Sequence, residues 1–112
     1  MTSRMPNGEH AVVDMRKLAD YCLSPSHFRG RHKARVFLQA LGLDRSGALW
    51  LREALLEAAR TSEAAEAEVD AFGHRWQIDL RLTRSGRTAV VRSVWIIRTG
   101  EDVPRFITAW VL

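Results

Sequence analysis

The sequence predicts an α+β fold in which two or three N-terminal helices pack on a four-stranded antiparallel meander. Three observations carry that expectation. Apolar residues recur at helical spacing up to about Ala58, the pattern changes to period two from Ala67 onward, and Gly-containing turns punctuate the second half. The 112 residues suit one domain with a single core, and 46% apolar and 27% charged residues are ordinary for a globular chain. The domain is expected over residues 11–112, preceded by a flexible arm over residues 1–10.

Met15, Leu18, Ala19 and Cys22 mark a first helix that starts near Val13 or Asp14 and ends at Ser24-Pro25-Ser26. Ala34, Phe37, Leu38 and Leu41 form one stripe of a second helix, which Gly42 terminates. A third helix follows Asp44 or Ser46, buries Leu51, Ala54, Leu55 and Ala58, and frays through the acidic Ser62–Glu66 segment. Glu68–Phe72 reads as a short strand closed by Gly73. Trp76, Ile78, Leu80 and Leu82 alternate with polar residues, which makes the next strand half-buried. Thr83-Arg84-Ser85-Gly86 forms a hairpin turn, and Thr88–Arg98, apolar on both faces, is the central strand. Thr99–Asp102 turns the chain into a last strand over 105–112, with Pro104 at its start. At least three of Trp50, Trp76, Trp95 and Trp110 are expected in the core.

The net charge is +4, and Lys17 and Lys33 are the only lysines among 17 bases. Arginine richness fits bidentate phosphate contacts, and it equally fits a GC-rich genome. The lone Cys22 excludes an internal disulfide, fits a reducing compartment and reads as a small buried hydrophobe. The N-terminus has no signal-peptide core, and no apolar run approaches a membrane span; a soluble, cytoplasmic protein is expected. Phosphate-loop, dinucleotide and nucleophile-elbow signatures are missing, and no pair of histidines has ligand spacing, so neither cofactor nor metal is expected.

The densest cluster is His27-Phe28-Arg29-Gly30-Arg31-His32-Lys33-Ala34-Arg35, with four fixed cations and no acid. Such a cluster repels itself unless an anion or nearby carboxylates relieve it, which points to phosphate at Arg29, Arg31 and Arg35. Lys33 falls near a helix N-terminus, where free N–H groups add to its charge. His27, flanked by arginines in a polar loop, suits proton transfer; a turn histidine that caps the helix is the other reading. Arg92 lies midway along the most apolar strand, so it pairs with Asp79 or a third-helix acid, or else faces a ligand cleft. Arg105 either pairs with Glu101 or Asp102 or binds an anion.

The set His27-x-x-Gly30-x-x-Lys33-Ala34-x-x-Phe37, the Gly73 turn, Gly86-Arg87-Thr88 with Trp95, and Pro104-Arg105 with Thr108 resembles a bacterial family. Its members are small stand-alone proteins and C-terminal domains of filamentous-haemagglutinin-type and other polymorphic toxins. Ser93 departs from an expected threonine, and Phe106 from a leucine. The helices-then-strands order also resembles the barnase, EndoU, colicin and RelE group of metal-independent ribonucleases. The resemblance implies a toxin-type endoribonuclease acting on RNA. His27 would move protons, Lys33, Arg92 and Arg105 would stabilise the phosphorane-like transition state, and Thr108 or Thr88 would orient phosphate, with Arg87 among the phosphate-binding residues. It also implies a cognate antitoxin or immunity protein. The alternative is a non-catalytic nucleic-acid- or protein-binding module of a toxin–antitoxin or phage-related system. Monomer and homodimer both stay open, because Phe106, Trp110 and Leu112 fall near a sheet edge.

Overall fold

A computed structural model describes residues 3–112. Its elements are α1 (Met15–Lys17), α2 (Arg31–Leu41), α3 (Ala48–Thr61), β1 (Ala65–Asp70), β2 (Gly73–Arg84), β3 (Arg87–Arg98) and β4 (Arg105–Val111). The strands form one antiparallel sheet in the order β1-β2-β3-β4. This is the α+β architecture of helices followed by a meander that the sequence predicts.

Asp14 starts α1 by accepting the Arg16 N–H at 2.9 Å. From Leu18 to Cys22 the same coil widens into a π turn. Leu18 and Cys22 enter the core from it, and Tyr21 packs half-buried against that core. Gly42, at φ 61°, ends α2 as expected: its N–H bonds to Leu38 O while Leu43 N–H bonds to Phe37 O. Ala34, Phe37 and Leu41 are buried, whereas Leu38, expected in the same stripe, is half-exposed on the solvent side. Asp44 caps a 3-10 turn that leads into α3, which buries Leu51, Leu55, Ala58 and Ala59.

The core joins Phe37, Leu41, Leu51 and Leu55 to Ile78, Val91, Trp95 and Phe106 on one face of the sheet. Trp95 and Phe106 meet edge-to-face at 5.5 Å. The buried Ser93 hydroxyl donates to Ile78 O and accepts from Trp95 Nε1, both at 2.9 Å, so the serine leaves no polar atom of its own unpaired. Trp76 and Trp95 are buried. Trp50 and Trp110 are not, which corrects the expectation of three core tryptophans: α3 presents Trp50 to solvent beneath Arg84, and Trp110 sits on the last strand beside Lys33.

Residues 3, 5 and 8 of the N-terminal segment touch the rest of the molecule. Met5 is buried, Ser3 O accepts from Ala64 N–H, and Gly8 lies so close to the Ala59 carbonyl that a Cβ would collide with it. Val12 forms a parallel bridge to Arg105 and extends the sheet locally beyond β4. The first strand begins at Ala65 instead of Glu68, and all of β1 is exposed at the opposite edge.

The β2–β3 turn is Ser85-Gly86, with φ of 53° and 74°. Two positive φ values make the turn whose twist matches the flanking strands, and serine is a poor occupant of its first position. Ser85→Asn should raise stability by about 0.5 kcal/mol, and Ser85→Val should lower it by about 1 kcal/mol. Urea melts of the two variants check the order.

Candidate functional site

The loop before α2 passes over the Tyr21 carbonyl, and only a glycine at position 30 leaves room for it. This close approach brings His27 against Tyr21, with their rings edge-to-face at 4.7 Å. His27 Nδ1 accepts the N–H groups of Arg29 (3.1 Å) and Gly30 (3.0 Å), and His27 O accepts the Arg31 N–H at 2.9 Å. The histidine therefore caps the approach to α2. With Nδ1 serving as acceptor, the neutral ring carries its proton on Nε2 and offers a donor to the cleft.

One turn into α2, Lys33 reaches β4 and donates from Nζ to Thr108 Oγ1 at 3.1 Å. The ammonium lies 5.2 Å from the Tyr21 ring centroid and 5.3 Å from that of Trp110. Both rings favour the cation, but among the described residues no carboxylate pairs with it. Thr108 is braced from behind by Cys22, with Sγ 3.8 Å from Oγ1. Burial pushes the Cys22 thiol above 9.0, partly opposed by hydrogen bonds from Ala109 N–H and Thr108, so Cys22 is a packed neutral thiol.

Two clefts flank this seam. The larger, about 620 Å³, is lined by Asp14, Arg16, Lys17, Asp20, Tyr21, His27, Ile107 and Thr108. Its acids are both paired: Asp14 with Arg16, which lines the same cleft, and Asp20 with Arg45, each at 2.9 Å. Lys17, like Lys33, has no ion-pair partner among the described residues. Lys33 lies between this cleft and a second one on its far side.

His27, Lys33 and Thr108 thus converge, and the other expected site residues do not. Arg92 forms a bidentate pair with its cross-strand neighbour Asp79 (2.9 and 3.0 Å) on the sheet face away from the core. The register Asp79↔Arg92 dictates that pairing, which commits the guanidinium to Asp79 although Arg92 is also the cross-strand partner of Trp110 on β4. Arg105 is likewise paired, with Glu101 at 3.0 Å. Arg87 donates to Gln39 O near the far end of α2, and Thr88 bonds to Thr83, so the hairpin pair lies away from the seam. Arg29, Arg31 and Arg35 are exposed without acidic partners among the described residues; Arg31 lies over the Phe28 ring and Arg35 beside Leu38. Tyr21, Lys17 and Trp110 belong to the site and were not expected there. Their sequence signals were apolar periodicity and an isolated charge, neither of which marks a cleft.

The fold and this edge define an α+β module with an open cationic seam. Residues 4–112 match the family model described as "Domain of unknown function (DUF6883)", and the chain belongs to that family. No curated protein matches it. Among solved structures, it is similar to a chain of a contact-dependent growth inhibition toxin–immunity protein complex from Klebsiella pneumoniae 342. The TM-score is 0.68 at 21% identity, over 90% of this chain and 99% of that one. At that identity the likeness is one of fold. No helix among the described residues is long and apolar enough to cross a membrane.

Two outcomes follow from the charges. Lys33→Met should leave unfolding stability within about 1 kcal/mol of wild type, because a half-buried cation without an acid contributes little to the fold; a loss above about 2 kcal/mol would make Lys33 a structural residue. The Arg92 side-chain hydrogen bonds, ahead of its charge, hold the Asp79 carboxyl below its ordinary 3.8. The stabilisation is therefore present above that value and lost as pH falls through the lowered folded pKa. Acid unfolding curves of wild type and Asp79→Asn should converge below pH 3.8 and separate above it.

Proposed function

We propose that this chain is the toxin-type member of a toxin–immunity system and cleaves RNA, without a metal cofactor, at the His27–Lys33–Thr108 seam. The observation that carries the reading is Lys33, a cation held between two rings and a hydroxyl at an open cleft, with no acid paired to it among the described residues. The relation in fold to a chain of a toxin–immunity complex supports the system. The positive balance of the chain supports the toxin side, since a protein that covers a basic cleft would itself be acidic.

In such a reaction the RNA 2′-oxygen bonds to phosphorus as the bond to the 5′-oxygen breaks. The 2′-hydroxyl gives its proton to solvent water in the open cleft, and the leaving 5′-oxygen gains one from Lys33, whose amine solvent then reprotonates. Lys33 would stabilise charge on the non-bridging oxygens and can supply the proton to the leaving oxygen. As oriented, His27 serves as an Nε2–H donor to phosphate. To accept the 2′ proton at Nδ1 it would have to give up two backbone hydrogen bonds. Thr108 orients the ammonium and keeps its own hydroxyl proton for a phosphate oxygen or Cys22. Arg29, Arg31 and Arg35 would hold neighbouring phosphates, and a cognate immunity protein would cover the seam.

The capping bonds of His27 favour one competing reading, a binding module in which this residue only shapes the loop. Asparagine separates the two roles, because its side-chain oxygen can cap the same N–H groups while lacking the Nε2 donor. RNA incubated with the protein in EDTA should be cut at discrete positions. Lys33→Ala should slow cleavage by about 10²–10³-fold, and His27→Asn should slow it while preserving the fold. Full activity in His27→Asn would reduce His27 to a cap. Intact RNA at high protein concentration would remove the nuclease reading, and salt-sensitive RNA binding would then favour the binding module.

A further inference from the structure

The second cleft, about 390 Å³, lies on the other side of Lys33 and is lined by His32, Lys33, Val36, Trp110 and Val111. His32, Lys33 and Val36 share one side of α2 by their three- and four-residue spacing. Val36 is 40% exposed although no polar requirement of the fold places it there. The two clefts are neighbours: Thr108 lines the first, Lys33 lines the second, and one 3.1 Å hydrogen bond joins these residues. An apolar wall thus stands directly beside an unneutralised ammonium, at the limit of a cleft that has its own donor in His27.

We propose that this second cleft seats the nucleobase adjoining the phosphate held at the Lys33–Thr108 seam, so that the site selects unpaired nucleotides over bare phosphate and over duplex. The proposal rests on the phosphate reading of that seam and adds the chemistry of its neighbour. A nucleotide carries an anion and a flat, largely apolar ring one sugar apart, and the seam offers a cation and an apolar wall in the same relation. The Trp110 ring and the Val36 and Val111 side chains cover the base, and His32 at the rim reaches its polar edge. A base inside a duplex is stacked on its neighbours and cannot leave the helix axis to enter such a cleft without unpairing.

Titration with inorganic phosphate, ribose 5-phosphate, and adenosine and uridine 5′-monophosphates separates the parts. Amide NMR of the isotope-labelled protein reads both affinity and position. The nucleotides should bind about tenfold more tightly than ribose 5-phosphate and shift the amides of Val36 and Val111. Val36→Asn, an exposed substitution that adds no charge, should erase most of that advantage and leave ribose 5-phosphate binding unchanged. A single-stranded deoxyoligonucleotide should likewise outcompete its own duplex. Equal binding of nucleotides and ribose 5-phosphate would overturn the base subsite and leave the phosphate seam standing. Nucleotide-specific shifts that avoid Val36 and Val111 would overturn it too. No binding of any phosphate would overturn the seam and the subsite together.

Discussion

The docking of α2 across β3 and β4 is the constraint on which the candidate site depends. Phe37 and Leu41 are fully buried in the same core as Trp95 and Phe106, so the helix has little freedom to slide or roll. With that register fixed, Lys33, one turn into the helix, falls beside Thr108 and Trp110 on β4. The loop leading into α2 must then cross the backbone of Tyr21, which it does at Gly30, and His27 is carried to the mouth of the adjoining cleft. A core made of ordinary leucines and aromatics thus sets the position of groups that contribute little to stability themselves.

The charges divide into two populations with different work. Arg75, Arg92 and Arg105 are each satisfied by a carboxylate, and Arg84 and Arg87 by main-chain carbonyls. Those arginines tie the sheet to itself and to the end of α2. The cations around the start of α2, together with Lys17, have no such partners among the described residues. Concentrated at one edge, they create a positive potential that an anionic ligand relieves. Lys33 differs from the exposed arginines because it is half-buried and held by three groups, which favours one defined anion position over a diffuse stripe.

The helices-then-meander order was legible because amphipathic period and turn glycines agree with the tertiary structure at nearly every element. The cluster from His27 to Lys33 was legible from charge alone, and Thr108 entered through the family resemblance. Arg92 shows where such reading stops. Its apolar surroundings fit a cleft as well as an ion pair, and the choice depends on a cross-strand register that local sequence does not encode. Trp110 and Tyr21 show the complementary failure. Both belong to apolar stretches, but a register shift between β3 and β4 at Val94/Trp95 and the π turn after α1 present them at the edge. A capping His27 was one of two readings open in the sequence, but the tautomer that the cap imposes depends on two backbone N–H groups that only the folded loop brings to Nδ1.

The most direct test of the site is a crystal structure with an uncleavable dinucleotide that lacks the 2′-hydroxyl. The account predicts its phosphate within hydrogen-bond reach of Lys33 Nζ and His27 Nε2, on the Thr108 side of the cleft. A phosphate held instead by Arg29, Arg31 and Arg35, with the Lys33 seam empty, would contradict it and leave the basic cluster as a general anion-binding surface.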